Sequence, residues 1–148
     1  IPQSQSITAL THAVVTNVEV AITPTSATSK ILIMLHWTGK HSNQYSAEDH
    51  VFFLYRNAVA LKGDTSSSGS ALVGLGIGVS NSASSTTSLD QCGFHYMDSP
   101  ASASAITYKL GVLSRRTEVL YTNRGIQGGV SSYHERGVST ITVMEIGT

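Results

Sequence analysis

The sequence predicts an all-β domain, an antiparallel two-sheet β-sandwich or jelly roll, and three observations predict it. About eight to ten short stretches rich in β-branched and aromatic residues follow one another along the chain. Clusters of Ser, Thr, Gly, Asn and Pro separate them, as turns between sequential strands require. No stretch carries a sustained helical period with caps, so nothing alternates with strands in the manner of a parallel α/β fold.

The first strand is expected from Ala13 to Thr23, with Val14, Val18, Val20 and Ile22 largely on one parity and Thr16, Asn17, Glu19 and Thr23 more exposed. Pro24 to Ser29 connects it to the next, because Pro cannot donate to a ladder and Ser and Thr compete for local backbone groups. Lys30 to Thr38 is apolar on both parities, Ile31, Ile33, Leu35 and Trp37 against Leu32, Met34 and His36, which predicts a strand buried on both sides. Gly39 to Asp49 is polar and reads as a surface loop. His50 to Arg56 again carries bulky residues on both parities, and Asn57-Ala58 turns it into Val59–Leu61. Ala71 to Val79 interleaves Leu, Ile and Val with three glycines and is expected to be a weak strand. Cys92 to Met97 forms a strand that stops at Asp98-Ser99-Pro100. Ala105 to Leu113 alternates cleanly and predicts an antiparallel strand buried on one side only. Val119 to Thr122 is a short strand, Asn123 to Arg136 a long loop, and Val138 to Ile146 the last strand.

The 148 residues suit one domain, residues 1–148, with one core. The chain begins at Ile1 rather than Met, which suggests the end of a longer polypeptide. Nine basic and nine acidic residues cancel, so the electrostatic footprint of a nucleic-acid binder is missing. No apolar run approaches the roughly 20 residues that span a bilayer, so no membrane insertion is expected. A single cysteine, Cys92, excludes a disulfide within one chain and reads as a small buried apolar residue. Charged residues are 12% of the chain against about 25% in typical domains, and Ser and Thr are abundant. A neutral surface combined with strands apolar on both faces predicts a homo-oligomer whose subunits cover one another.

Catalytic templates fail at definite places. There is no G-x-S-x-G elbow and no phosphate-binding G-x-x-x-x-G-K-[ST] loop, and His134-Glu135 lacks the second His of H-E-x-x-H. Glu48-Asp49 is the one adjacent carboxylate pair, and such side chains diverge in a strand. The expectation is a protein that is not an enzyme and needs no cofactor. Six histidines, at 12, 36, 41, 50, 95 and 134, raise a metal hypothesis, but no H-x-H pair occurs, and His36, His50 and His95 fall in strand-like stretches where a structural histidine is the simpler reading; no metal site is assigned. Trp37, in phase with Ile31 and Ile33, belongs to the core. Candidate ligand-binding residues come from the two long loops, where polar and aromatic groups could engage a saccharide or a partner surface: His41, Asn43, Gln44, Tyr45 and Asp49 in the first, Asn123, Gln127, Tyr133 and His134 in the second.

Several segments carry a resemblance. Ala21-Ile22-Thr23-Pro24-Thr25-Ser26-Ala27-Thr28-Ser29-Lys30-Ile31-Leu32-Ile33, Phe53-Leu54-Tyr55-Arg56, Met97-Asp98-Ser99-Pro100, Ile106-Thr107-Tyr108-Lys109 and the closing Arg136-Gly137-Val138 to Ile146 resemble, in order and spacing, the C-terminal receptor-binding knob domains of tail-fibre-like proteins of tailed bacteriophages. The resemblance implies a homotrimeric β-sandwich knob at the tip of a virion fibre, outside the cell, with the shaft preceding Ile1. It also implies adhesion to a host bacterial glycan or outer-membrane protein. The two long loops have no counterpart in the family, so fold and setting carry over and binding residues do not. The alternatives are a trimerisation or capping domain that ends a fibre without a receptor of its own, and a capsule-degrading glycosidase tip.

Overall fold

The computed structural model of the chain describes residues 1–42, 50–65, 71–78, 88–127 and 134–147. Eleven strands occur among the described residues, and no helix: β1 (Gln3–Ile7), β2 (Ala13–Ile22), β3 (Lys30–His41), β4 (His50–Arg56), β5 (Val59–Leu61), β6 (Asp64–Thr65), β7 (Leu72–Val73), β8 (Asp90–Asp98), β9 (Ile106–Ser114), β10 (Glu118–Thr122) and β11 (Thr140–Ile146). All pairings are antiparallel. In the first sheet the long β3 is the spine: β8 runs along one edge from Ile31↔Asp98 to Gly39↔Asp90. Along the other edge β11 pairs with residues 30–36 and β10 with residues 39–41, and β1 adds to β10. The second sheet has the order β2-β9-β4-β5, and β6 with β7 forms a small hairpin. The two main sheets pack face to face as a β-sandwich.

The core between them follows from alternation. Ile31, Ile33, Leu35 and Trp37 of β3, Cys92 of β8 and Leu120 of β10 meet Phe52 and Leu54 of β4 and Ile106, Tyr108, Leu110 and Val112 of β9. Each such side chain contributes roughly 1.5–3 kcal/mol when removed from water. Trp37 is fully buried, and its indole N–H donates to Thr122 Oγ1 at 3.2 Å, which satisfies the one polar atom it carries inward. Burial pushes the Cys92 thiol up to about 12, in keeping with a small apolar residue facing the core.

Several expectations need correction. In β2 the inward residues are Val15 and Val18, and Val14 is exposed, because the pairing with β9 shifts between Val14 and Glu19 and Asn17 takes a positive φ of 59°. A bulge of this kind swaps the two faces of a strand midway, which simple alternation does not foresee. The end of β9 is buried on both sides rather than one. Leu113 joins Val51 and Phe53 in a second cluster on the outer face of the second sheet, with Leu72, Ala60 and Tyr55 packed against it. Phe53 also fills the space beside Gly111, where an added Cβ would lie 2.5 Å from its ring. The Ala71–Val79 segment is strand only at Leu72–Val73, followed by a bridge between Gly76 and Phe52. The polar β1 is a strand that its sequence, rich in Gln and Ser, did not announce. β3 continues through Gly39, Lys40 and His41, three residues past the expected start of the surface loop at Gly39.

The two faces of β3 differ. The expectation of burial on both sides fails along its first half: Leu32 and Met34 are half-buried and His36 is exposed. The equally two-sided β4 is buried on both faces, because Ala60 and Leu72 of the same chain contribute to the cover over its outer side.

Candidate functional site

Two places on the sandwich concentrate unusual chemistry. The first is the open half of the outer face of the first sheet. Leu32 stands between Met97 of β8 and Met144 of β11 in one cross-strand row. Met34 stands between His95 and Thr142 in the next row. All three methionines of the chain are therefore on this face, with Ile146 at its margin. Met97 is 45% exposed and Met144 is 49% exposed. Met is flexible and polarisable, a side chain suited to an adaptable contact surface, and an apolar row across three strands is the kind of patch that marks an interface.

The second place is one end of the sandwich, where the end of β3 meets the starts of β4, β8 and β10 and the end of β9. His50 opens β4 opposite Ser114, and His41 closes β3 opposite Leu120. The imidazoles of His41 and His50 stack across the two sheets with centroids 3.6 Å apart and planes 27° apart. Glu118 of β10 completes the cluster: its Oε1 lies 3.0 Å from His41 Nδ1, within ion-pair range but off the alignment of a hydrogen bond, and accepts a 2.6 Å hydrogen bond from Ser114 Oγ. His41 and His50 are each 2% exposed and Glu118 is 5% exposed. Trp37 and Phe52 form an aromatic wall beside the imidazoles. Close by in sequence, Lys40 and Asp90 form a buried ion pair at 2.8 Å. Residues flanking three of the connections belong to this end: Ser42 and His50 bracket 43–49, Gly78 lies against the His50 ring and precedes 79–87, and Glu135 past 128–133 accepts from the Leu89 N–H at 3.1 Å.

Of the sequence-derived candidates, His41 is a buried strand residue rather than a loop residue. Asn123 is engaged within the chain: its Oδ1 accepts from Ser139 N–H (2.6 Å) and Ser139 Oγ (2.7 Å), and its own N–H donates to the Thr38 carbonyl (2.8 Å). It thereby clips β10 to β3 and to the entry of β11, with a positive φ of 62° that Asn tolerates well. Asn123 also lines an open cleft of about 320 Å³ with Ile1, Thr16, Asn17 and Val138. Gln127 is exposed and His134 half-buried, and the Arg124↔Arg136 bridge holds their two stretches side by side. Asn43, Gln44, Tyr45, Asp49 and Tyr133 lie outside the described residues. Sequence reasoning missed His50 and Glu118 as a cluster with His41, and it missed the methionine face. One signal for the former existed, a histidine at each end of one connection, but Glu118 sits far along the chain in an unremarkable strand.

Among the described residues, Asp98 and Glu145 are each engaged separately rather than paired in a groove. Asp98 holds Arg56 through both carboxylate oxygens (3.0 Å each) and accepts from Tyr108 Oη (2.7 Å). Glu145 accepts from Thr25, which draws its carboxyl below the ordinary value together with a hydrogen bond from Ser29. No protein-family model matches the chain, and no curated protein is significantly similar to it.

Proposed function

We propose that this chain is the tip domain of a virion tail fibre, a homotrimer that adheres to a host bacterial surface through the connections at one end of its sandwich. The observation that carries the reading is the methionine face. Four large apolar side chains in two adjacent rows, Leu32, Met34, Met97 and Met144, are half-buried or exposed in a single chain, whereas Val51, Phe53 and Leu113 on the outer face of the opposite sheet are buried. Identical copies arranged about a closed symmetry axis are the economical cover for such a surface. Three copies would also present three sets of connections together, so that weak contacts to a glycan or outer-membrane protein add through avidity. The segment resemblance to phage knob domains supports the same setting.

The test is the mass of the purified domain in solution by sedimentation and light scattering. The reading expects three times the 15.6 kDa of one chain. A persistent monomer overturns it. A capping domain without a receptor is the second reading, favoured if the trimer forms but labelled trimer adsorbs to no bacterial strain of a broad panel. Shortening 43–49 should abolish adsorption and leave the trimer mass unchanged if the connection bears the contact.

A further inference from the structure

We propose that His41, His50 and Glu118 bind a divalent transition-metal ion of the zinc class, which ties β3, β4 and β10 together at the base of the connection between Ser42 and His50. The inference stands on the cluster alone and does not depend on the fibre-tip reading.

Each of the three residues offers one ligand atom, and these atoms lie within 4.8 Å of one another. Two imidazole nitrogens and a carboxylate oxygen form a donor set that suits zinc, cobalt or nickel, whereas calcium and magnesium prefer all-oxygen shells. The cluster also has an unmet need. His41 Nε2 and Glu118 Oε2 are buried without a hydrogen-bond partner, and groups of that kind are rare in native interiors unless something satisfies them. The Glu118 carboxylate is shut away from water, in contact with the Ser114 hydroxyl and the His41 ring. A buried carboxylate calls for a positive partner, and a metal ion can supply it. Ser114 would serve a bound ion as well, since a hydroxyl holding one carboxylate oxygen orients the other, as outer hydrogen bonds do at many metal sites. The aromatic wall of Trp37 and Phe52 keeps water away, which strengthens every electrostatic contact within.

The stacked imidazoles define what binding must change. Zinc ligands at about 2.0–2.1 Å in a tetrahedron stand roughly 3.4 Å apart, so the cluster has to contract and the two rings must turn out of their stack to point at a common centre. That is a side-chain movement within a fixed backbone frame, since His41 is held by pairing to Leu120 and His50 by pairing to Ser114. Because His41 and His50 bracket one connection, an ion shared between them closes its base.

The experiment uses the full chain, stripped with a chelator and then melted with and without Zn²⁺ at about 100 times its dissociation constant, where linkage predicts a Tm increase of roughly 5–10 °C. His50→Gln and Glu118→Gln should each abolish most of that increase. The double variant H36A/H95A, which removes two exposed histidines of the outer face, should keep it. X-ray absorption of the zinc-loaded wild-type chain supplies a readout that survives if the variants fail to fold, and it should show two imidazoles per ion with one ion per chain. The proposal is overturned by a wild-type Tm that does not move with Zn²⁺, Co²⁺ or Ni²⁺. It is equally overturned by an increase that persists in both glutamine variants or vanishes in the H36A/H95A chain, or by fewer than two imidazoles at the ion.

Discussion

If the proposed trimer forms through the methionine face, replacing Met97 and Met144 together by Asp should break it while leaving each chain folded. The two side chains flank Leu32 from opposite sides and keep 45% and 49% of their surface in the single chain. Full burial of a methionine is worth roughly 1.5–3 kcal/mol, so covering the remaining half yields about 1 kcal/mol each, about 2 per chain and about 6 per trimer. Loss of that gain alone lowers the trimer association constant by about four orders of magnitude, and burying six carboxylates against apolar neighbours lowers it further. Neither residue belongs to the core between the sheets, so the chain's own melting should change little when measured at concentrations where both proteins are monomeric. The assay is sedimentation equilibrium over a hundredfold range of concentration, paired with circular dichroism to confirm strand content. A double variant that remains trimeric with wild-type affinity would refute the reasoning, because it would place the subunit contact on some other face.

Three further outcomes follow from the interior. Gly111→Ala places a methyl group 2.5 Å from the Phe53 ring, which is also packed closely against Gly63, so overpacking of roughly 1–3 kcal/mol should lower Tm by several degrees in a thermal melt. Lys40→Met leaves Asp90 as a buried charge without the ammonium 2.8 Å away and should cost roughly 3–5 kcal/mol in urea unfolding, with much of it recovered when Asp90→Leu is added. The Cys92 thiol, held up to about 12 from an ordinary 9.0, keeps its proton in the folded chain at pH values where the unfolded chain releases it. Its contribution is therefore complete below pH 9 and declines as pH rises toward 12, by about 1 kcal/mol per pH unit. Burial and the Asp98 contact raise Tyr108 as well, with the same sign. Stability measured against pH should fall on the alkaline side, and Cys92→Ala should flatten part of that slope; an unchanged slope would show that the thiol is not held protonated.

Much of the strand order was legible because it depends on local cues. Pro24, Asn57 and the Asp98-Ser99-Pro100 turn end strands where backbone chemistry demands it, and the bounds of β4 and β5 and the alternation at the start of β9 follow. What escaped were features that a single segment cannot encode. The bulge at Asn17 reverses the faces of β2, and its signature is a backbone angle rather than a residue pattern. The polar β1 is a strand because β10 offers it an edge from Gln3↔Thr122 to Ile7↔Glu118, which is a tertiary reason. β3 extends to His41 for the same kind of cause, since β10 and then the Ser42–Val119 hydrogen bonds continue the ladder past the last apolar residue.

The contrast between β3 and β4 shows where local pattern stops deciding. Both are apolar on both parities, and that pattern predicts two covers for each strand without saying who provides them. For β4 the chain provides the second cover itself, by sending Ala60 and Leu72 over Val51 and Phe53. For β3, among the described residues, it does so only toward the loop end, where Gly137 and Leu89 close over Thr38. Among the described residues the row of Leu32, Met97 and Met144 keeps an open side, which the proposed assembly would cover. That row sits at the opposite end of β3 from the His41 cluster. In the proposed reading the start of β3 offers an open surface to copies of the chain, while the sealed polar cluster at its end lies where residues flanking the connections 43–49 and 79–87 meet. An assembly built through the first would leave the second free to shape what those connections meet.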